Sequence, residues 1–526
     1  MQLVTTYRDR PLPRRAALAG NSFLINYFDL PVPLPFELHA VADRNARERA
    51  DGWTIHPVSR WPGDTVVDHL IFAMKNEPVA LRVLSLTFEK MGPDELVAAL
   101  RTTPGGRFIR RACFFYEWLT GRVLQGLPGV TGPVADAVDT NMQFGATREV
   151  GDPGATERRY RVRNNLPGTV DFCPLIARTR KLDAMMARDL PGEARRIVAS
   201  RSPDMIRRAS AYLLLKDSKS SFSIEDETPS PQRAQRWAET IGEAGQLPLS
   251  LELLVDLQER VIGDSAFVKL GLREEGGFVG GRSPLAQQPR PDHVSARHED
   301  LPSLIDGLVA FDQRTTASSY HPVLAAASLA FGFVYIHPFE DGNGRIHRWL
   351  IHHVLSARGF SPEGLVFPVS TAIGDDIIGY RATLEAISRP MLPWIDWEAT
   401  EKGNVSVKNE TSALYRYFNA TRNAEYLFDR ICRTIEHDLS GELDFLEVRD
   451  AFHREGTRIV DMPERLLDGL FHVLRQNGGS LSKRKRKGIF AKLNDEQAPA
   501  FEALYARLTT PRNEEGSAEA EPSLFD

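Results

Sequence analysis

Residues 337–348 read His-Pro-Phe-Glu-Asp-Gly-Asn-Gly-Arg-Ile-His-Arg, which places a base, a carboxylate, a glycine-framed turn and two guanidinium groups in one short string. Gly342, Asn343 and Gly344 let the backbone point several N–H groups at one spot, an arrangement suited to an anion. A helix starting there adds the positive end of its dipole. Arg345 and Arg348 are three residues apart, so both leave one face of that helix's first turn. Two arginines beside a backbone anion site imply more than one phosphate. A cationic first turn also opposes the helix dipole unless an anion sits against it. Asp341 offers a hard oxygen beside the phosphates, as Mg²⁺ bound to a nucleotide requires. His337, with an ordinary pKa of about 6.5, is a base near neutrality. Together these are the parts for attack by a hydroxyl on a nucleotide phosphate. Gly-Asn-Gly alone is an ordinary turn, but nine specified positions at about one in twenty make a chance match on the order of 10⁻¹² per start.

Two helices must carry this turn. Residues 322–336 form an apolar run that reads as the first, His337-Pro338 breaks it, and residues 345–357 read as the second, stopped by Gly359. Upstream, residues 251–261 and 302–311 read as further helices. Between them, residues 272–282 read as a short hairpin turning at Gly276-Gly277. Residues 109–119 have helical spacing, residues 126–168 are loop-rich with short strands, and residues 182–215 read as several short helices. Residues 426–437 and 462–476 are the clearest late helices, the second ending at Asn477-Gly478-Gly479.

The 526-residue length suggests two to four domains, and 42% apolar with 26% charged residues is the balance of a soluble globular chain. A net charge of −5 excludes a globally basic nucleic-acid binder. The basic run at residues 483–487 reads as a solvated loop, with nucleic-acid contact as its alternative. Cys113, Cys173 and Cys432 have no CxxC spacing, which suits a reducing compartment. Residues 1–18 lack the apolar core of a secretory signal, and the run 322–336 is short of the roughly 20 residues that span a bilayer. The expectation is a cytoplasmic protein with no membrane partner. There is no Gly-Lys dipeptide, which excludes a P-loop. His347, His352 and His353 crowd one helix without an HExxH pattern or an acidic partner, and read as surface or packing histidines.

His-Pro-Phe-x-Asp-Gly-Asn-Gly-Arg-x-x-Arg is the signature of the Fic (filamentation induced by cAMP) family, and residues 337–348 resemble it at every position. The resemblance implies a mainly α fold with a Fic-type helical core and a small β-hairpin flap. It implies a protein adenylyltransferase, moving AMP from ATP to a Ser, Thr or Tyr hydroxyl of a target protein and releasing pyrophosphate. His337 would deprotonate the hydroxyl, and Asp341 would hold Mg²⁺ between the α- and β-phosphates. Gly342, Asn343 and Gly344 would hold those phosphates, Arg345 the β-phosphate and Arg348 the γ-phosphate, with Phe339 as a core anchor. The hairpin resembles the family's flap, which binds a target by strand addition. That places Arg273, Gly277, Phe278, Val279 and Gly280 at the target.

Residues 221–225, Ser-Phe-Ser-Ile-Glu, resemble the family's inhibitory motif, Ser/Thr-x-x-x-Glu followed by Gly or Asn, on a helix at about 217–228. Ser221 and Glu225 would be inhibitory, Glu225 pairing with Arg348 where the γ-phosphate must bind. Asp226 departs from the pattern. The implied layout is an N-terminal, mostly helical region 1–205, a Fic domain 206–400, a helical C-terminal domain 401–510 resembling the winged-helix-like module of some long Fic proteins, and a disordered acidic tail 511–526. Implied partners are ATP and the target, with self-modification, a homodimer and nucleic acid at the C-terminal region as further candidates. One alternative is AMP removal or another phosphate transfer on the same site. Kinase members of the wider family alter Gly-Asn-Gly-Arg, which is intact here. The other is a DNA- or protein-binding regulator with a vestigial core, against which stands a motif with every position filled.

Overall fold

A computed structural model describes residues 1–45, 47–147, 156–199, 201–263, 267–283 and 288–510. The acidic tail at 511–526 lies outside the described residues. The chain divides into two compact units, Met1–Arg195 with Tyr212–Ile435, and Arg196–Ala211 with Glu436–Asp526. The first unit therefore takes in residues 401–435.

The first unit opens with a five-stranded sheet. Strands β1 (Leu3–Tyr7), β2 (Arg10–Leu18), β3 (Leu38–Ala42), β4 (Glu48–Ala50) and β5 (Trp53–His56) lie in the order β1-β2-β3-β5-β4. Only β3 and β5 run parallel. Four helices, Val66–Asn76, Leu81–Lys90, Pro93–Thr102 and Arg107–Thr120, share one apolar core with this sheet. Thr65 and Asp68 cap the first of them reciprocally. The expected loop-rich stretch carries three two-residue strands, β6 (Ala135–Asp136), β7 (Thr156–Glu157) and β8 (Val162–Arg163). Buried arginines hold part of it to helix Arg107–Thr120: Arg110 donates to the carbonyls of Pro133 and Tyr160 at 2.7 and 3.0 Å, and Arg111 to that of Ala137 at 2.7 Å.

The motif is carried by a second, helical layer of the same unit. Its central helix, Pro322–Ile336, buries 13 of its residues, as a helix apolar on all sides must. Pro322 occupies its first turn, and the His321 side chain accepts the Val323 N–H. Around it lie Leu251–Ile262, capped by Ser250, and Leu301–Thr316, Asn343–Ala357, Ile377–Met391 and Thr421–Arg433. The late helix expected at 426–437 starts earlier and ends at Arg433, where a π-type stretch, Thr434–Leu439, follows. Among the described residues no helix is long and apolar enough to cross a membrane.

The second unit packs Ser440–Ile459, Glu464–Gln476 and Gln497–Thr509 around Phe452, Phe471 and Phe501. Gly478 and Gly479 take φ of 63° and 91° and end the middle helix, as the sequence suggests. The unit is helical as expected. A winged helix needs a β-wing, and the described residues of this unit contain no strand. The basic run forms a short, solvated helix, Lys483–Lys487, rather than a loop, with the Ser482 side chain as its cap.

Candidate active site

Central helix Pro322–Ile336 ends at His337, whose φ of 53° and ψ of 62° are left-handed. That conformation costs a non-glycine residue roughly 1–2 kcal/mol. The His337 N–H still bonds the Phe333 carbonyl at 2.9 Å, and Nδ1 lies 3.2 Å from the Val334 carbonyl oxygen. A carbonyl only accepts, so Nδ1 carries the proton and Nε2 keeps its lone pair. Burial first, and the Arg273 charge next, push the His337 pKa down to about 4, against the opposing pull of the Val334 bond, Glu225 and Asp341. At neutral pH the ring is therefore uncharged and able to take a proton.

The turn after His337 is closed by Asn343, which is 2% exposed. Its amide accepts the Phe339 N–H at 3.1 Å and donates to the Phe339 carbonyl at 2.8 Å. The Asn343 side chain is thus committed to the turn, which leaves only its backbone for the expected phosphate contact. Gly342, at φ 91°, takes the backbone conformation that lets helix Asn343–Ala357 begin here. Asp341 is half-exposed; its Oδ1 accepts the Gly342 N–H at 2.6 Å and lies 2.8 Å from Arg345 Nη2.

Arg345 and Arg348 are 4% and 1% exposed, yet each faces a carboxylate. Helix Pro203–Ser223 delivers those carboxylates just past its end. The expected helix span 217–228 is cut at Ser223, because the Glu225 and Asp226 N–H groups turn back to the carbonyls of Phe222 and Ser223. Arg348 donates to Ser221 Oγ at 3.0 Å and to the Ser221 carbonyl at 2.6 Å, and pairs with Glu225 at 2.9 Å. A Cβ on Gly344 would stand 1.9 Å from Glu225 Oε1, so the carboxylate occupies the anion site at the helix N-terminus. Burial would raise the Glu225 pKa, but Arg348, with Arg345 and His337, holds it below the ordinary carboxylate value.

Asp226 sits at φ 56°, the region open at least cost to Gly and Asn, which explains why the family pattern favours those two there. The turn at Asp226 carries Glu227 to Arg345, and Glu227 is also paired with Arg233. No motif singles out Glu227; the only hint in the sequence is a second acid beside a turn-forming aspartate. The helix itself is anchored by buried Asp217, which bonds His352 Nε2 at 3.0 Å, Ser370 Oγ at 2.8 Å and the Thr371 N–H at 3.0 Å. His347, His352 and His353 are all buried, which removes the surface reading. His352 does have an acidic partner, supplied from a distant segment and so invisible to local spacing.

The hairpin differs from expectation. Its strands are β9 (Phe278–Arg282) and β10 (Pro289–Val294), paired antiparallel, so Gly276 and Gly277 precede the first strand instead of forming the turn. Gly276 is small for another reason. A Cβ on Gly276 would stand 1.9 Å from the Val405 carbonyl oxygen. Val279 and Gly280 are exposed on β9 and Phe278 is half-buried, whereas Arg273 is only 5% exposed beneath the hairpin. The expected target contact of Arg273 is therefore corrected: its guanidinium is spent on backbone carbonyls.

Residues 248–355 match the family model described as Fic/DOC family. The chain is 32% identical over 124 residues to protein adenylyltransferase fic-1 of Caenorhabditis briggsae, covering 23% of this chain and 22% of that protein. It is 33% identical over 118 residues to protein adenylyltransferase Fic of Drosophila virilis, covering 22% of each. The chain thus spans about a fifth of the length of the curated relatives it matches. A Fic domain containing signaling protein from Bacteroides thetaiotaomicron aligns over 50% of this chain and 96% of its own, at 18% identity and a TM-score of 0.35.

Proposed function

We propose that this protein transfers AMP from ATP to a hydroxyl of a protein substrate and that its resting state is inhibited by carboxylates of its own chain. The observation that carries the reading is a neutral histidine base at the start of a turn whose two buried arginines are each paired with a carboxylate from outside the turn. Arg345 Nε and Arg348 Nη1 are buried donors with no hydrogen-bond partner among the described residues, a demand that phosphate oxygens fit. Asp341 suits Mg²⁺, which is commonly held by one or two carboxylates together with water and phosphate oxygens, and which would neutralise phosphate charge.

In the reaction, His337 Nε2 accepts the hydroxyl proton as the hydroxyl oxygen forms a bond to the α-phosphorus. The bond from that phosphorus to the bridging oxygen breaks, and pyrophosphate leaves. Arg345 and Arg348 orient the leaving phosphates, with the backbone at the start of helix Asn343–Ala357 facing their charge. Strand β9 offers its edge to the segment bearing the hydroxyl. In the resting state Glu225 stands in for the phosphate at Arg348 and Glu227 does the same at Arg345. ATP must displace both.

The test is labelling of proteins by purified Glu225→Gly enzyme with ATP carrying label at the α or the γ position, in lysate and on the enzyme itself. Covalent α-label, lost with His337→Ala, supports AMP transfer. Covalent label from the γ position only would make the protein a kinase.

A further inference from the structure

We infer that Arg273 is a positioning residue that fixes the catalytic turn to the root of the hairpin, so that base and target strand form one rigid piece. The inference rests on the AMP-transfer reading. The carbonyls at the end of helix Pro322–Ile336 lack helical partners, as at any helix end, and a left-handed His337 in place of glycine does not satisfy them unaided. Arg273 supplies the missing donors. Its backbone N–H bonds the Pro338 carbonyl at 3.0 Å, and Nε donates to the His337 carbonyl at 2.8 Å. Nη2 donates to the Ala296 carbonyl and reaches the Ile336 carbonyl at 3.5 Å, and Nη1 donates to the Glu275 carbonyl at 2.7 Å.

One residue thus ties the carbonyls of Ile336, His337 and Pro338 to residues on both sides of the hairpin. The hairpin is joined to the same helix end elsewhere: the Ala296 N–H bonds the Ile336 carbonyl at 3.2 Å, and His293 Nε2 lies 2.8 Å from the Tyr335 carbonyl. The bond from the Ser295 N–H to the Gly277 carbonyl, 2.9 Å, closes the base of the hairpin.

Burying a guanidinium among carbonyls, with no carboxylate of the described residues bonded to it, is unfavourable, and burial pushes the Arg273 pKa down to about 10. The group stays charged at neutral pH, and what the site gains for that cost is geometry. Only a planar fork of five donors reaches carbonyls spread in this way; an ammonium is a point charge with three. The bonds of Arg273 end at residues 275, 296 and 336–338, apart from the arginines and glycines of the anion site at 342–348. Arg273 should therefore govern the rate of transfer and leave ATP affinity alone.

The experiment places Arg273→Lys and Arg273→Gln in the Glu225→Gly enzyme and follows self-labelling and lysate labelling with α-labelled ATP. The apparent ATP KM is measured alongside the rate at saturating ATP. Both variants are expected to lose at least about tenfold in saturated rate while ATP KM stays within about twofold. Arg273→Lys keeps the charge and the volume, so it carries the test if Arg273→Gln does not fold. A saturated rate equal to the parent's, or a rise in ATP KM matching the fall in rate, overturns the positioning role. An inactive Glu225→Gly parent overturns the AMP-transfer reading itself, and this inference with it.

Discussion

The two ends of the 337–348 turn are secured by opposite kinds of contact. At His337 the partners are backbone carbonyls and the buried Arg273, which stay in place as long as the helix end is folded. At Arg345 and Arg348 the charged partners from outside the turn are Glu227 and Glu225, carboxylates 32% and 37% exposed on a segment beyond the last turn of its helix. On the proposed reading the base is built in, whereas the phosphate site is filled by groups that can leave. Such a protein keeps its chemistry assembled and regulates only the entry of a polyphosphate.

The contrast breaks most visibly at the base. Replacing His337 with Ala in the Glu225→Gly protein should cut AMP transfer by about 10²–10⁴-fold, the usual contribution of a general base, with ATP affinity nearly unchanged. A matching loss of ATP affinity would move His337 from the reacting hydroxyl to the phosphates. At the other end, Glu225→Gly should raise α-label incorporation roughly tenfold to a hundredfold over the intact chain, since hydrogen bonds to charged groups are each worth ~1.5–3 kcal/mol. Unchanged activity there removes Glu225 from the inhibitory role.

A smaller step should follow from Glu227→Gln added to Glu225→Gly. A partly exposed pair is screened by water, so the expected drop in ATP KM is only about two- to fivefold. No change in KM would confine the block to Arg348. The smallest effect concerns titration of His337, followed by NMR with His337→Ala to assign the signal. Its depressed pKa leaves the ring neutral at physiological pH and protonates it only as pH falls through about 4. Removing Glu225, one of the charges that raises this pKa, should lower it further. A midpoint near the ordinary 6.5 would contradict the burial and the Arg273 charge.

How much of this was legible depended on whether a function was local in the chain. The motif could be read because base, carboxylate, glycines and arginines are contiguous, and the all-apolar run 322–336 forces its own burial. Ser221 and Glu225 were legible by resemblance, and Arg348 meets both. Glu227 was not, because its reach depends on a left-handed turn at Asp226 and on a helix anchored through Asp217 to His352. Arg273 was misread for a similar reason. A basic residue near glycines resembles a surface contact, and nothing in its neighbours reveals that the end of a distant helix needs its donors. The hairpin slipped because Gly276 answers a close approach by the Val405 carbonyl that sequence cannot show. The N-terminal sheet was not legible because four of its five strands have five residues or fewer and its parallel pair, β3 and β5, brings together separate segments.

The most direct test of a built-in base beside a masked phosphate site is the ATP dependence of α-label transfer by the intact chain and by the Glu225→Gly/Glu227→Gln protein. Saturable transfer by the unmasked protein, with the intact chain labelling weakly at the same ATP concentrations, is the predicted result. Equal transfer by both proteins, or none by the unmasked one at any ATP concentration, would contradict it.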